Sequence, residues 1–113
     1  MSGLAKEKCE ACRDNAPKAT DAEIQDYLQQ LAAEWDVVEE DGVKKLRRVF
    51  KFKNFVQALS FADRVGEAAE NAGHHPDLLV QWGKTTVTWY SHKIGGLHRN
   101  DFIMASRTDS LAG

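Results

Sequence analysis

The dipeptide Asp41-Gly42 separates two short stretches whose hydrophobicity alternates residue by residue, and this arrangement constrains the fold more than any other feature of the chain. Before it, Trp35, Val37 and Glu39 alternate with polar neighbours; after it, Leu46, Phe50 and Phe52 share one parity. Alternation at period two marks a strand with one buried face. Asp-Gly is a favoured two-residue hairpin turn, because both of its positions adopt positive φ. A β-hairpin is expected here.

The rest of the pattern extends this hairpin into a layered domain. Thr20 and Glu23 have capping-box spacing, and Ile24, Tyr27, Leu28 and Leu31 follow the stripe of an amphipathic helix, predicted from about Asp21 to Glu34. Asn54 can cap a second helix with Phe55, Ala58, Leu59, Ala62, Val65, Gly66 and Ala69 facing inward. Gly73 fits its C-cap, and Pro76 disfavours helical geometry at His75, so His74 and His75 stand at a helix exit. Leu78, Val80 and Trp82 then alternate as a third strand, Gly83-Lys84 makes a turn, and Thr85 to Tyr90 form a fourth strand. Gly95-Gly96 breaks it, and Leu97 to about Arg107 can form a last short helix. The order is α-β-β-α-β-β-α: an α+β fold with a four-stranded antiparallel sheet covered on one face by helices. The folded unit is expected at residues 20–108, between a polar arm (1–19) and a tail (109–113), both poorly ordered and without catalytic residues.

The chain has 113 residues and 42% hydrophobic content, which fits one domain with a modest core. Fifteen basic and seventeen acidic residues give a net charge of −2, without a block of like charge long enough to grip a phosphate backbone, so nucleic acid is not an expected partner. No stretch resembles a signal-peptide core or reaches membrane-spanning length, and a cytoplasmic location is expected. Cys9 and Cys12 form a CxxC in the arm, but no second close Cys/His pair completes a zinc site and no strand–helix–strand unit surrounds it. Reduced thiols on a mobile arm are the preferred reading.

All four histidines fall between positions 74 and 98, which points to proton transfer near neutral pH. Glu70, three residues, His74-His75-Pro76, five residues, Trp82, nine residues, His92 and, after a short gap, Asp101 form one spaced run. This run resembles the signature of the pterin-4a-carbinolamine dehydratases without departure. The wider likeness extends from about Ala22 to Ala105, through Trp35, Phe50-Lys51-Phe52-Lys53-Asn54-Phe55 and Gly96-Leu97. The resemblance implies that His74, His75 and His92 line a pterin site. There, one imidazole protonates the departing 4a-hydroxyl and another accepts the N5 proton, giving quinonoid dihydropterin and water without any cofactor. His74 and His92 are assigned to proton transfer and His75 to holding the ring system, with Glu70 and Asp101 as orienting carboxylates. Trp82 can stack on a flat heterocycle, although an aromatic residue on a strand is more often core. His98, outside the pattern, is read as an ordinary structural histidine.

The resemblance also implies that two sheets join across a dimer, with some members pairing dimers into tetramers, and that the reaction helps recycle the tetrahydrobiopterin-type cofactor of an aromatic amino acid hydroxylase such as phenylalanine hydroxylase. Two rival readings remain. Three histidines and a carboxylate can hold zinc or iron in a metal hydrolase, but adjacent residues on extended backbone point apart, so His74 and His75 are poorly placed to share an ion. The other rival is a non-enzymatic dimerisation or assembly cofactor on the same fold.

Overall fold

In a computed structural model of the protein, residues 18–112 are described; Cys9 and Cys12 lie outside them. The elements are α1 (Asp21–Leu28), β1 (Asp36–Glu40), β2 (Val43–Lys51), α2 (Phe55–Ala72), β3 (Asp77–Gln81), β4 (Lys84–Trp89) and α3 (Arg99–Ala112). The expected order and antiparallel sheet are borne out. The strands lie in the order β1-β2-β4-β3, so the two hairpins join through β2 and β4, and β1 and β3 are left as edges.

Turn chemistry sets both hairpins. Asp41 and Gly42 take φ of 53° and 78°, and the register closes with Glu40 opposite Val43. In the second hairpin Gln81 faces Lys84, so the turn is Trp82-Gly83 rather than the expected Gly83-Lys84, and Trp82 lies outside the strand. Gly83 explains the shift: its φ is 74°, and a Cβ there would stand 3.3 Å from the Phe52 carbonyl oxygen, which crowds the turn against the end of β2.

The helices differ from the expectation at their ends and faces. The α1 capping box is formed, with Thr20 Oγ1 accepting from the Glu23 N–H and Glu23 Oε1 accepting from the Thr20 N–H. The helix nevertheless stops at Leu28 instead of Glu34. Past it the chain tightens to i→i+3 hydrogen bonds at Gln30, Leu31 and Trp35, which turns Trp35 into the core at 4% exposure. In α2, Asn54 caps as expected, and Ala58, Ala62, Val65 and Ala69 are buried. Phe55 and Leu59, expected inside, are 43% and 50% exposed, while Phe61 is fully buried. The sheet-facing stripe is centred on 58, 61, 62, 65 and 69, and at about 100° per residue Phe55 and Leu59 fall on its flank.

α3 runs through Asp109 to Ala112, beyond the end expected near Arg107, so residues 109–112 are not a separate tail. Asp109 accounts for this: its carboxylate accepts from the Trp35 indole N–H at 3.0 Å and from Arg48 Nη1 at 2.7 Å. Burial pushes the Asp109 carboxyl above its ordinary value, against the pull of the Trp35 N–H and the Arg48 charge. Between helices and sheet the core closes around ring contacts, Phe50 with Phe61 at 4.7 Å and Trp35 edge-on to Phe50 at 6.0 Å.

Candidate active site

The exit of α2 sends its two histidines in opposite directions. Gly73 takes the left-handed conformation at the C-cap, φ 68°, and the His74 N–H reaches back to the Ala69 carbonyl, which anchors the turn. Pro76 then holds the chain extended. His74 turns inward and keeps 3% of its surface exposed, whereas the His75 side chain is 59% exposed.

His74 enters a buried polar cluster. Its Nε2 lies 2.6 Å from Asp101 Oδ1, and its ring stacks on Trp89, 5.7 Å between centroids and 8° from parallel. Asp101 is fully buried in the first turn of α3, where the helix dipole favours an anion. Its other oxygen, Oδ2, accepts from Ser91 Oγ at 2.9 Å and from the His98 backbone N–H at 2.8 Å. His98 contributes its backbone here, and its Nδ1 accepts from the Asn100 N–H. That matches the structural role expected of it.

The other imidazoles form an accessible layer next to this cluster. Glu70, in the last turn of α2, places Oε1 2.8 Å from His75 Nε2. His92, in the turn after β4, sets its Nε2 3.0 Å from the His75 carbonyl oxygen, and its ring lies 4.2 Å from Tyr90, on the strand face they were expected to share. Lys45 in turn stands over the Tyr90 ring at 4.4 Å. A carbonyl oxygen only accepts, so His92 Nε2 must donate and Nδ1 carries the lone pair; the Glu70 carboxylate sets the same tautomer in His75.

Glu70, His74, His75, His92 and Asp101 are therefore brought together, joined through the His74-His75 peptide. Trp82 is not: it is 74% exposed in the β3–β4 turn, at the opposite end of β3 from the histidines. Ser91, Trp89 and Tyr90 were missed as site residues. Strand parity was the available signal, since Trp89 and Ser91 alternate with Tyr90 and His92 and so face the inside when His92 faces out. Among the described residues, no three His, Cys, Asp or Glu side chains are grouped to hold a metal ion.

Comparison with known proteins places this geometry in a family. Residues 17–111 match the family model described as pterin 4 alpha carbinolamine dehydratase. A Marinobacter nauticus protein bearing a provisional pterin-4-alpha-carbinolamine dehydratase name is 55% identical over 111 residues, 98% of this chain and 99% of that one. A Nitrosococcus oceani protein of the same provisional name is 52% identical over 98% of this chain and 97% of its own. The crystal structure of a transcriptional coactivator/pterin dehydratase from Brucella melitensis superposes with a TM-score of 0.77 at 31% identity, covering 86% of this chain and all of that one. A pterin dehydratase-like RuBisCO assembly factor of the alpha-carboxysome shares the fold, with a TM-score of 0.59 at 22% identity over 71% of this chain and 94% of its own. The inward and outward histidines, their two carboxylates and the helix-covered sheet that carries them thus sit in a chain that belongs to the pterin 4 alpha carbinolamine dehydratase family.

Proposed function

We propose that this protein is a hydro-lyase that dehydrates a 4a-hydroxytetrahydropterin to quinonoid dihydropterin and water. The observation that carries the reading is the hydrogen-bonded convergence of Glu70, His74, His75, His92 and Asp101 at one place on the fold. Elimination breaks the C4a–O bond and the N5–H bond. One imidazolium donates its proton to the departing hydroxyl, which leaves as water, while a neutral imidazole takes the N5 proton and the N5 electron pair forms the new C=N bond. The acid has lost a proton and the base has gained one, so exchange with solvent resets both.

The two accessible imidazoles suit this exchange best. His75 and His92 each present Nδ1 once Nε2 is committed to Glu70 or to the His75 carbonyl. His74, enclosed between Trp89 and Asp101, is better placed to fix the position of its neighbour, so we exchange the roles first assigned to the adjacent pair. The substrate arises when an aromatic amino acid hydroxylase oxidises its tetrahydropterin, and we place the protein beside such an enzyme, phenylalanine hydroxylase for example, in the cytoplasm and as a homo-oligomer.

The test generates the carbinolamine with a hydroxylase and follows its ultraviolet absorbance. Wild type accelerates the decay; His75→Ala and His92→Ala each lose about 10²–10⁴-fold of that acceleration. Equal decay in buffer and with wild type refutes the reading.

A second reading, protein binding or assembly, is favoured by one feature of α2: Phe55, Val56 and Leu59 leave an apolar ridge exposed, Val56 at 74%. Charged substitutions along this ridge would abolish partner binding while leaving the histidines untouched.

A further inference from the structure

The end of β4 serves the histidine site from both of its faces. Trp89 and Ser91 turn toward the helices, where they meet His74 and Asp101, whereas Thr88, Tyr90 and His92 share the open face of the sheet. Among the described residues, the exposed His92 ring makes one hydrogen bond, from Nε2 to the His75 carbonyl. That bond fixes where Nε2 stands, but it leaves the ring able to turn about the N–H···O direction, which swings the Nδ1 lone pair. Proton transfer to a ligand needs that direction held.

Tyr90 supplies a second constraint. Its ring packs against the imidazole, 4.2 Å between centroids and 38° from parallel. The tyrosine is itself held on the open face. Lys45 precedes Leu46, the residue opposite Trp89, and so stands beside Tyr90, with Nζ 4.4 Å from the ring centroid. The Lys45 side chain is 16% exposed, low for an ammonium that ordinarily stays in water, and Glu40 Oε1 accepts from it at 3.2 Å. The same oxygen accepts from Arg47 Nη2 at 2.9 Å, and Arg47 Nε donates to Thr88 Oγ1, two residues before Tyr90. Arg47 and then Lys45 hold the Glu40 carboxyl below its ordinary value, so this anchor stays ionised. A brace thus crosses β1, β2 and β4 and ends on the imidazole.

We infer that Tyr90 is a positioning residue for the proposed dehydration: braced by Lys45 and Glu40, it sets the plane in which His92 exchanges its proton. The inference rests on the pterin reading for the reaction, while the ring contact stands without it. Because Tyr90 acts through His92, its loss lowers kcat and leaves KM near that of wild type.

The test is a double-mutant cycle read by the carbinolamine assay, with urea midpoints to show that each variant folds. Tyr90→Leu keeps apolar bulk on the strand and removes the flat ring; a misdirected imidazole should cost about 10- to 100-fold in kcat. Tyr90→Phe keeps the ring and should restore kcat to within about twofold of wild type. Lys45→Met keeps the stem and removes the charge, and loss of the cation–π contact should cost about 2- to 5-fold. In a His92→Ala background Tyr90→Leu should cost nothing further, since the ring it orients is gone. Equal losses with and without His92, or a raised KM at unchanged kcat, overturn the inference.

A second measurement does not depend on turnover. In proton NMR spectra the His92 ring signals, identified by their loss in His92→Ala, should carry the ring-current shift of a neighbouring aromatic in wild type and Tyr90→Phe and lose it in Tyr90→Leu. A wild-type chain without dehydratase activity would remove the proposed reaction and leave this shift to decide whether Tyr90 orients His92. His92 signals that are the same in wild type and Tyr90→Leu overturn the inference whatever the activity.

Discussion

Asp101 is the residue whose loss should be felt most widely, and its hydrogen bonds allow the effect to be worked out in advance. The carboxylate is fully buried and accepts from His74 Nε2, Ser91 Oγ and the His98 backbone N–H. In Asp101→Ala the serine hydroxyl can rotate to another acceptor, but the His98 N–H and the His74 ring cannot. One buried donor and one part-buried donor, at up to about 1–3 kcal/mol each, give a loss of at most roughly 6 kcal/mol, a large share of the 5–15 kcal/mol typical of a domain. Asp101→Asn is a sharper test. The amide oxygen must stay on the His98 side, because that N–H is fixed, so the amide NH₂ faces His74 Nε2. His74 then has to move its proton to Nδ1. Stability falls by one charge-assisted hydrogen bond, about 1.5–3 kcal/mol, and the orientation of the neighbouring site suffers by about 10–100-fold in activity. Urea unfolding at fixed protein concentration and the carbinolamine assay measure the two effects. An Asn variant equal to wild type in both would refute the view that this carboxylate sets the tautomer of His74.

Four further outcomes follow from other parts of the fold. His75→Ala and His92→Ala should leave the urea midpoint near that of wild type while lowering the rate, because both rings are exposed; His74→Ala should lower both. Phe61→Ala, at a fully buried ring packed on Phe50 and Phe52, should cost about 3–5 kcal/mol by denaturant titration. Asn54→Ala removes the acceptor of the Gln57 N–H at the α2 N-cap and should cost about 1 kcal/mol in the same titration. The pH dependence turns on Asp109, whose folded-state pKa is raised above the ordinary 3.8, chiefly by burial. The folded chain then binds this proton more tightly than the unfolded chain, so the stabilisation is full below that value and is lost as pH rises through the raised one. Wild type should lose stability relative to Asp109→Asn across that acidic window, and the difference should be flat above it.

The elements that depend on short-range chemistry were legible in the sequence. Thr20 with Glu23, Asn54, Asp41-Gly42 and Gly73 each act within a few residues, and each does in the fold what its spacing implies. The departures have longer-range causes. α1 carries its stripe on to Leu31, but it stops at Leu28 because Trp35 has to reach the core and meet Asp109, a residue far along the chain. Arg48 sits between Leu46 and Phe50 on the helix-covered face, where alternation alone calls for an apolar residue, and it is accommodated by that same carboxylate. The end of α3 is fixed by Trp35 and Arg48 together, so it could not be read from the composition of residues 109–113.

The site shows the same division between local and long-range information. That His74 and His75 diverge follows from extended backbone next to proline. Which of them turns inward does not, because the choice is made by Asp101, which reaches back from a helix that must first dock against Trp89 and the end of β4. The motif spacing treats the two histidines alike, whereas packing leaves one at 3% exposure and the other open to solvent. In the proposed reaction, with His74 enclosed, proton exchange is assigned to His75, whose side chain is open to solvent, and the His75 backbone carbonyl is the group that holds His92 beside it. A substitution that shifts this peptide without removing any imidazole, such as Gly73→Val at a φ of 68°, should therefore depress activity more than stability, because it moves the His75 carbonyl from which His92 takes its position.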